Sequence, residues 1–190
     1  MINVNKIPKE IGMVVAVLQG AGYKAYLVGG CVRDLFTGNE PKDYDVTTNA
    51  TPEQIIGLFP KTFYENNYGT VGVVTCGEDL GTECSSENVK IVEVTPFRLE
   101  GEYTDKRHPD SVEWSQNIED DLKRRDFTVN AMAYDPISHE IIDPFEGQKD
   151  LENKVLRAVG EPNKRFQEDA LRLMRAVRLA CQLDFDIEPV

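Results

Sequence analysis

The sequence predicts an α+β (mixed α/β) domain: a small mixed sheet flanked by helices, followed by the start of an all-helical segment. Three observations lead there. Short β-rich runs alternate with helical patterns at close spacing over residues 1–160, as when strands and helices share one core. The stretch from Asn163 to Leu183 is strongly amphipathic at the helical period. No repeat or low-complexity tract interrupts the chain, and 190 residues are enough to bury one core. The expected division is therefore 1–160 for the mixed domain and 161–190 for the opening of the helical one.

Residues 8–20 (PKEIGMVVAVLQG) read as a helix with Pro8 near its start and Gly20 or Gly22 near its end. A strand follows from Ala25 to Val28, then Gly29-Gly30, then a helical turn through Val32, Arg33 and Leu35 to Gly38. A second strand covers Tyr44 to Thr47. Thr51 caps the next helix, with Pro52 at its first position. Strands are expected near 62–66, 71–76 and 89–95, and the polar, aperiodic stretch 99–112 reads as a mobile loop. From about Asn117 the pattern turns helical through DDLKRRDF and TVNAMAY, with a hairpin-like segment around Ile141 to Pro144. In the last helix Leu171, Met174 and Val177 form an apolar stripe expected to face the core.

Composition sets bounds. Hydrophobic residues make up 41% and charged residues 28%, as in ordinary globular proteins. No apolar run approaches the roughly 20 residues that cross a bilayer. The opening MINVNKIPKEIGMVVAVL is interrupted by Glu10 and offers no small-residue cleavage site, so no signal peptide is expected. Cys31, Cys76, Cys84 and Cys181 lie far apart without a CxxC pair. Reduced thiols in a cytoplasm are the better reading than a Cys76–Cys84 disulfide or metal pair. The formal net charge of −12 repels polyanions, so any role with nucleic acid must rest on a local basic patch.

The chemistry gathers around KDYDVTT. Asp43 and Asp45 flank Tyr44, and side chains two apart on a strand share a face, so both carboxylates point to one spot. Paired hard oxygens suit Mg²⁺ bridging the phosphates of a nucleotide. A solvated acidic strand end has the same pattern. Just upstream, the strand–Gly29-Gly30–helix unit offers amides and a helix N-terminus to phosphate, and Arg33 falls on that first turn. A plain tight turn explains the glycines equally well.

Taken together, LVGGCVRD (27–34), Gly38 and KDYDVTT (42–48) resemble the opening motif of the class II tRNA nucleotidyltransferases (CCA-adding enzymes) and bacterial poly(A) polymerases, within the polymerase-β-like nucleotidyltransferases. The resemblance continues in order through EVTPFR (93–98), YTDKRHPD (103–110), DDLKRRDFTVNAMAYDP (120–136), IIDPFEGQKDL (141–151) and RFQEDALRLMRAVRLA (165–180). It implies a nucleotidyltransferase head over 1–160 and the beginning of a helical neck over 161–190. It also implies CMP and AMP addition to the 3′ end of tRNA from CTP and ATP.

Residue by residue, the resemblance makes Asp43 and Asp45 the catalytic, metal-holding pair. Gly30, Arg33 and Arg125 would contact the nucleoside triphosphate, and Arg125 reads equally as a helix-surface charge paired with Asp121. Asp169 and Arg172, three apart on one helix, would form a protein template: an acceptor for an exocyclic amine and a donor for the adjacent ring nitrogen. That edge is common to cytosine and adenine, whereas uracil and guanine would leave both partners unsatisfied. A surface ion pair is the simpler account of the same spacing. Arg175 and Arg178 match further nucleotide contacts. Glu93 is either a third carboxylate or base near the metals, or a strand glutamate paired with a local arginine. The loop at 99–112 resembles the segment implicated in the switch from C to A addition, and His108 within it reads as a loop residue. RNA grip is expected to come mainly from body and tail regions outside this chain. A poly(A) polymerase, a CC- or A-adding enzyme, and an inactive nucleotide-binding module are the alternatives.

Overall fold

In the computed structural model, the structure describes residues 2, 4–64, 68–75 and 91–189. After a 3₁₀ turn at Val4–Lys6, helix α1 runs Lys9–Gly20 and presents Ile11, Val14, Val15 and Leu18 to the core. Strand β1 (Ala25–Val28) leads through Gly29 into α2 (Gly30–Thr37), closed by a left-handed Gly38. Strand β2 (Asp45–Thr48) precedes α3 (Pro52–Leu58), where Thr51 and Gln54 form a reciprocal capping box. Then come β3 (Thr62–Tyr64), β4 (Val71–Val74) and β5 (Ile91–Pro96). The expected strand ends at 65–66, 76 and 89–90, and Cys76 with Cys84, lie outside the described residues.

A hairpin of β6 (Arg98–Glu100) and β7 (Val112–Trp114) brackets the polar stretch, so strand pairing, Leu99 opposite Glu113, claims both ends of the expected 99–112 loop. Helix α4 (Ile118–Lys123) is short. The TVNAMAY segment is not helical: after a 3₁₀ turn at Thr128–Asn130 it becomes β8 (Ala133–Tyr134), because β1 offers an edge that pairs Leu27 with Tyr134 and Val28 with Ala133. Strand β9 (Ile141–Ile142) completes the expected hairpin. Helix α5 (Gly147–Asn153) and β10 (Val155–Leu156) carried no sequence assignment.

The final amphipathic stretch is two helices, α6 (Pro162–Glu168) and α7 (Leu171–Leu183). Asp169 takes an extended conformation between them; its Oδ1 accepts the Leu171 amide at 2.9 Å, while the Lys106 carbonyl takes the Ala170 amide. The segment is also not wholly helical, since β11 (Asp186–Ile187) pairs in parallel with β10. The expected core stripe is on the wrong side of α7. Leu171, Met174 and Val177 are 48%, 69% and 55% exposed, whereas Arg172, Ala176 and Leu179 are buried. Both sets recur at helical spacing within α7, and it is the face with Ala176 and Leu179 that joins the main core.

Seven strands form one sheet in the order β3-β4-β5-β2-β1-β8-β9, with only the β2–β5 pair parallel. One face packs Leu27, Val46, Val71, Val73, Val92 and Val94 against α1, α2 and α3. The other face is covered unevenly. Over β1 and β8 it is sealed by Ile118 and Leu122 of α4 with Phe97. Over β2 and β5 it carries Asp45 and Glu93, both exposed. The site begins on this uncovered half.

Candidate active site

Asp45 is the first residue of β2, and Asp43 sits two residues earlier in the extended lead-in. Both line the same two cavities, so the structure brings the expected pair together. Although Asp45 meets solvent, it stands at the floor of a cleft. Loss of surrounding water is the main cause lifting its carboxyl above the usual value; Arg125 opposes this and Asp43 adds to it. The parallel register sets Glu93 directly beside Asp45 on the open face.

The Gly29-Gly30 turn does more than end a strand. Gly29 has φ +84°, and a Cβ there would stand 3.2 Å from Arg125 Nη1 and 3.7 Å from Asp45 Oδ2. Only glycine both adopts that backbone and lets the arginine and the carboxylate close over it. The first amides of α2 project from the helix end at this point. Arg33 does not reach freely into solvent. It is buried, with Nη1 on Asn130 Oδ1 (2.8 Å) and Nε on Asp34 Oδ1 (2.8 Å), and it lines the cavity beneath Gly30.

Arg125 is no surface charge. Its Nη2 donates to Asp121 Oδ2 at 3.0 Å, and Asp121 is wholly buried. Arg124 binds the same carboxylate through Oδ1 at 2.7 Å and reaches Glu100 at 3.1 Å. Burial by itself would raise the Asp121 carboxyl, but Arg124 and Arg125 together hold it below its ordinary value. The buried Nε of Arg125 has no hydrogen-bond partner among the described residues.

Across the cleft stand Asp169 and Arg172. They line one cavity of about 440 Å³ with Gly29, Asp45 and Arg125, as expected, but not as neighbours on a helix face. The ion pair that Arg172 makes is with Glu168 (2.8 Å). It also donates to the carbonyls of Arg165 and Arg124 and lies over the Tyr103 ring, 5.7 Å from its centroid. Tyr103 in turn donates to Glu100. Arg175 pairs with Asp126 at 2.7 Å and borders both cavities, while Arg178 lines only the one beneath Asp43. His108 pairs with Asp105 at 2.8 Å and stacks on Tyr68, as a loop residue would. Six arginines (Arg98, Arg107, Arg124, Arg125, Arg172, Arg175) border the main cleft against four carboxylates (Asp45, Glu100, Asp126, Asp169), so a chain of net charge −12 holds a pocket with a local excess of positive charge.

Sequence reasoning named Asp121 as a partner of Arg125 but missed the other groups that hold these arginines. Asp121 was legible by its i,i+3 and i,i+4 spacing to Arg124 and Arg125. Asn130 lies 97 residues from Arg33 and Asp126 lies 49 from Arg175, and no local pattern links them.

A family model described as the poly(A) polymerase head domain matches residues 25–157. The chain belongs to that family. Among curated relatives it is 46% identical, over 99% of its length, to a CCA-adding enzyme of Lactobacillus helveticus, and 45% identical, over 93%, to one of Geobacillus stearothermophilus. Among solved structures it matches the Bacillus stearothermophilus CCA-adding enzyme in complex with CTP at a TM-score of 0.81 and 42% identity, over 95% of this chain and 40% of that one. The chain spans less than half the length of these curated relatives, 45% and 41%. The polymerase-β-like head fold expected from the resemblance is thus the observed one. Among the described residues no helix is long and apolar enough to cross a membrane.

The donor set fits Mg²⁺. Among the described residues no three His, Cys, Asp or Glu side chains gather as a closed cage. Magnesium is ordinarily held by one or two carboxylates together with substrate phosphates, and Asp43 and Asp45 stand beside an arginine-lined pocket with an unsatisfied guanidinium nitrogen.

Proposed function

We propose that this chain is the catalytic head, residues 1–160, and the start of the neck, 161–190, of a cytoplasmic template-independent RNA nucleotidyltransferase. It adds CMP and AMP to the 3′ end of tRNA from CTP and ATP with release of pyrophosphate. The observation that carries the reading is that Asp43 and Asp45 stand between the glycine turn with its arginines and the open half of the sheet.

Each side chain then has a task. The triphosphate lies against the Gly29-Gly30 amides and Arg125, whose guanidinium lines the cleft. Arg33, fixed by Asn130 and Asp34, supports the turn from beneath. Asp43 and Asp45 would hold Mg²⁺, which when bound would supply Lewis-acid activation of the RNA 3′-hydroxyl and of the α-phosphoryl group. Asp169 offers the cytosine or adenine amine an acceptor. Arg172 offers the ring nitrogen a donor by exchanging one of its present partners, Glu168 or a backbone carbonyl. Arg175 and Arg178 add positive charge along the nucleotide path.

The relatives' names point to CCA addition, and the CTP complex is a complex of that relative. The deciding experiment supplies tRNA ending before CCA, or an unstructured RNA, with Mg²⁺ and separate nucleotides, and sequences the product. Ordered C, C and A on tRNA is expected. Adenosine tails on any RNA would instead mark a poly(A) polymerase, and no incorporation even with the complete protein would mark a binding module.

A further inference from the structure

The uncovered half of the sheet extends beyond the carboxylates. One row of residues crosses four strands: Asp45 on β2 pairs with Glu93 on β5, Glu93 with Gly72 on β4, and Gly72 with Phe63 on β3. Residues paired across strands share a face. Phe63 therefore stands with Asp45 and Glu93, opposite the core residues Val71 and Val73. Gly72 brings no side chain to this row, and the Phe63 ring fills the space: a Cβ there would come within 2.5 Å of it. The ring thus lies over β4, one strand from Glu93 and two from Asp45, or about 5 and about 10 Å at the usual strand spacing.

Phe63 is 40% exposed, and Ile91, on the same face two residues before Glu93, is 55% exposed. An aromatic ring covering a strand glycine accounts for its inner side. That packing does not account for an open outer side in line with two acids. The row also has a direction. The glycine turn and Arg125 lie on the β1 side of Asp45, whereas Glu93 and Phe63 lie on the β5 side.

We propose that Phe63 is the stacking platform for the 3′-terminal base of the acceptor RNA. This rests on the nucleotidyltransferase reading above and adds the acceptor's seat to it. The terminal ribose lies over Asp45 and Glu93, whose carboxylates accept from its hydroxyls, and the base reaches one strand further to the aromatic ring. The acceptor's last base changes with each addition, so its seat must hold any base without reading its edges. Aromatic stacking does this, because every base has a π-face.

The test irradiates a tRNA that ends before CCA and carries 5-iodouridine as its last nucleotide with the complete protein, CTP and Mg²⁺, and maps the crosslinked peptide. A crosslink at Phe63 is expected; a crosslink elsewhere, or none, overturns the proposal. Crosslinking needs no turnover. A crosslink at Phe63 without incorporation would defeat the enzyme reading and leave the seat standing. In steady state, Phe63→Ala should raise the acceptor KM about 10-fold, leave the CTP KM unchanged, and be rescued by Phe63→Trp more than by Phe63→Leu. A lowered melting temperature with both KM values unchanged would show a packing role only and overturn the platform.

Discussion

The two sides of the cleft handle charge in opposite ways. On the arginine side most of the guanidiniums are held by the protein's own acids: Arg124 and Arg125 by Asp121, Arg98 by Glu100, Arg172 by Glu168, Arg175 by Asp126, Arg33 by Asp34. On the carboxylate side, Asp43 and Asp45 crowd one another with Arg125 as the counter-charge that acts on Asp45. Two aspartates, Asp45 and Asp121, are therefore shifted in opposite directions by their surroundings. One side is finished by folding, and the other is left for a ligand to complete. The acidity of the chain is partly explained by this, since fixing a wall of arginines takes buried and half-buried carboxylates.

The comparison breaks most sharply at Asp45. Asp45→Asn should lower Mg²⁺-dependent nucleotide incorporation by about 10³-fold or more, yet leave the melting temperature at neutral pH unchanged or higher. The sign follows from the raised carboxyl: Asp45's contribution to stability is present below its unfolded pKa and lost as pH rises through the folded one. A clear loss of stability in this variant would refute the idea of an unfinished side.

Asp121→Asn should do the reverse and destabilise the fold. Leaving two arginines without their buried partner costs about 3–5 kcal/mol, or roughly 10 °C in melting temperature at this size, as read by calorimetry. Here the folded pKa is depressed, so the contribution is present above the unfolded value and lost as pH falls through the folded one.

Acidification sharpens the same contrast. Mg²⁺-dependent CTP binding should weaken as pH falls from neutral sooner than a carboxyl at the ordinary 3.8 would allow, while the fold holds because Asp121 protonates later. A titration in which binding and unfolding are lost together would contradict this.

The smallest effect expected is on α7. Met174→Gln should change stability by less than about 0.5 kcal/mol, against about 2–5 for Leu179→Ala, measured by denaturant unfolding. A large loss at Met174 would restore the stripe that the sequence suggested.

Much of the head was legible along the chain because short-range rules govern it. Strand Ala25–Val28, the glycine turn, the left-handed Gly38 and the Thr51 cap each follow from a few neighbouring residues. The Asp43–Asp45 spacing places its carboxylates together almost regardless of context. The last helices were misread because periodicity alone registers neither the break, where an aspartate bonds the Leu171 amide and a loop carbonyl takes Ala170, nor which of two faces of α7 meets the core. TVNAMAY likewise yielded helical propensity to a strand edge offered by β1.

By itself, then, the sequence determined the mixed fold, the paired acids beside a glycine turn, and the set of arginines able to meet a nucleotide. Only the tertiary structure decided which acid holds which arginine, which half of the sheet stays open, and which side of α7 is buried. The reason is range. Turns, caps and strand alternation are set by contacts a few residues apart. The hydrogen bond of Arg33 to Asn130 and the ion pair of Arg175 with Asp126 join partners that meet only after the sheet has formed.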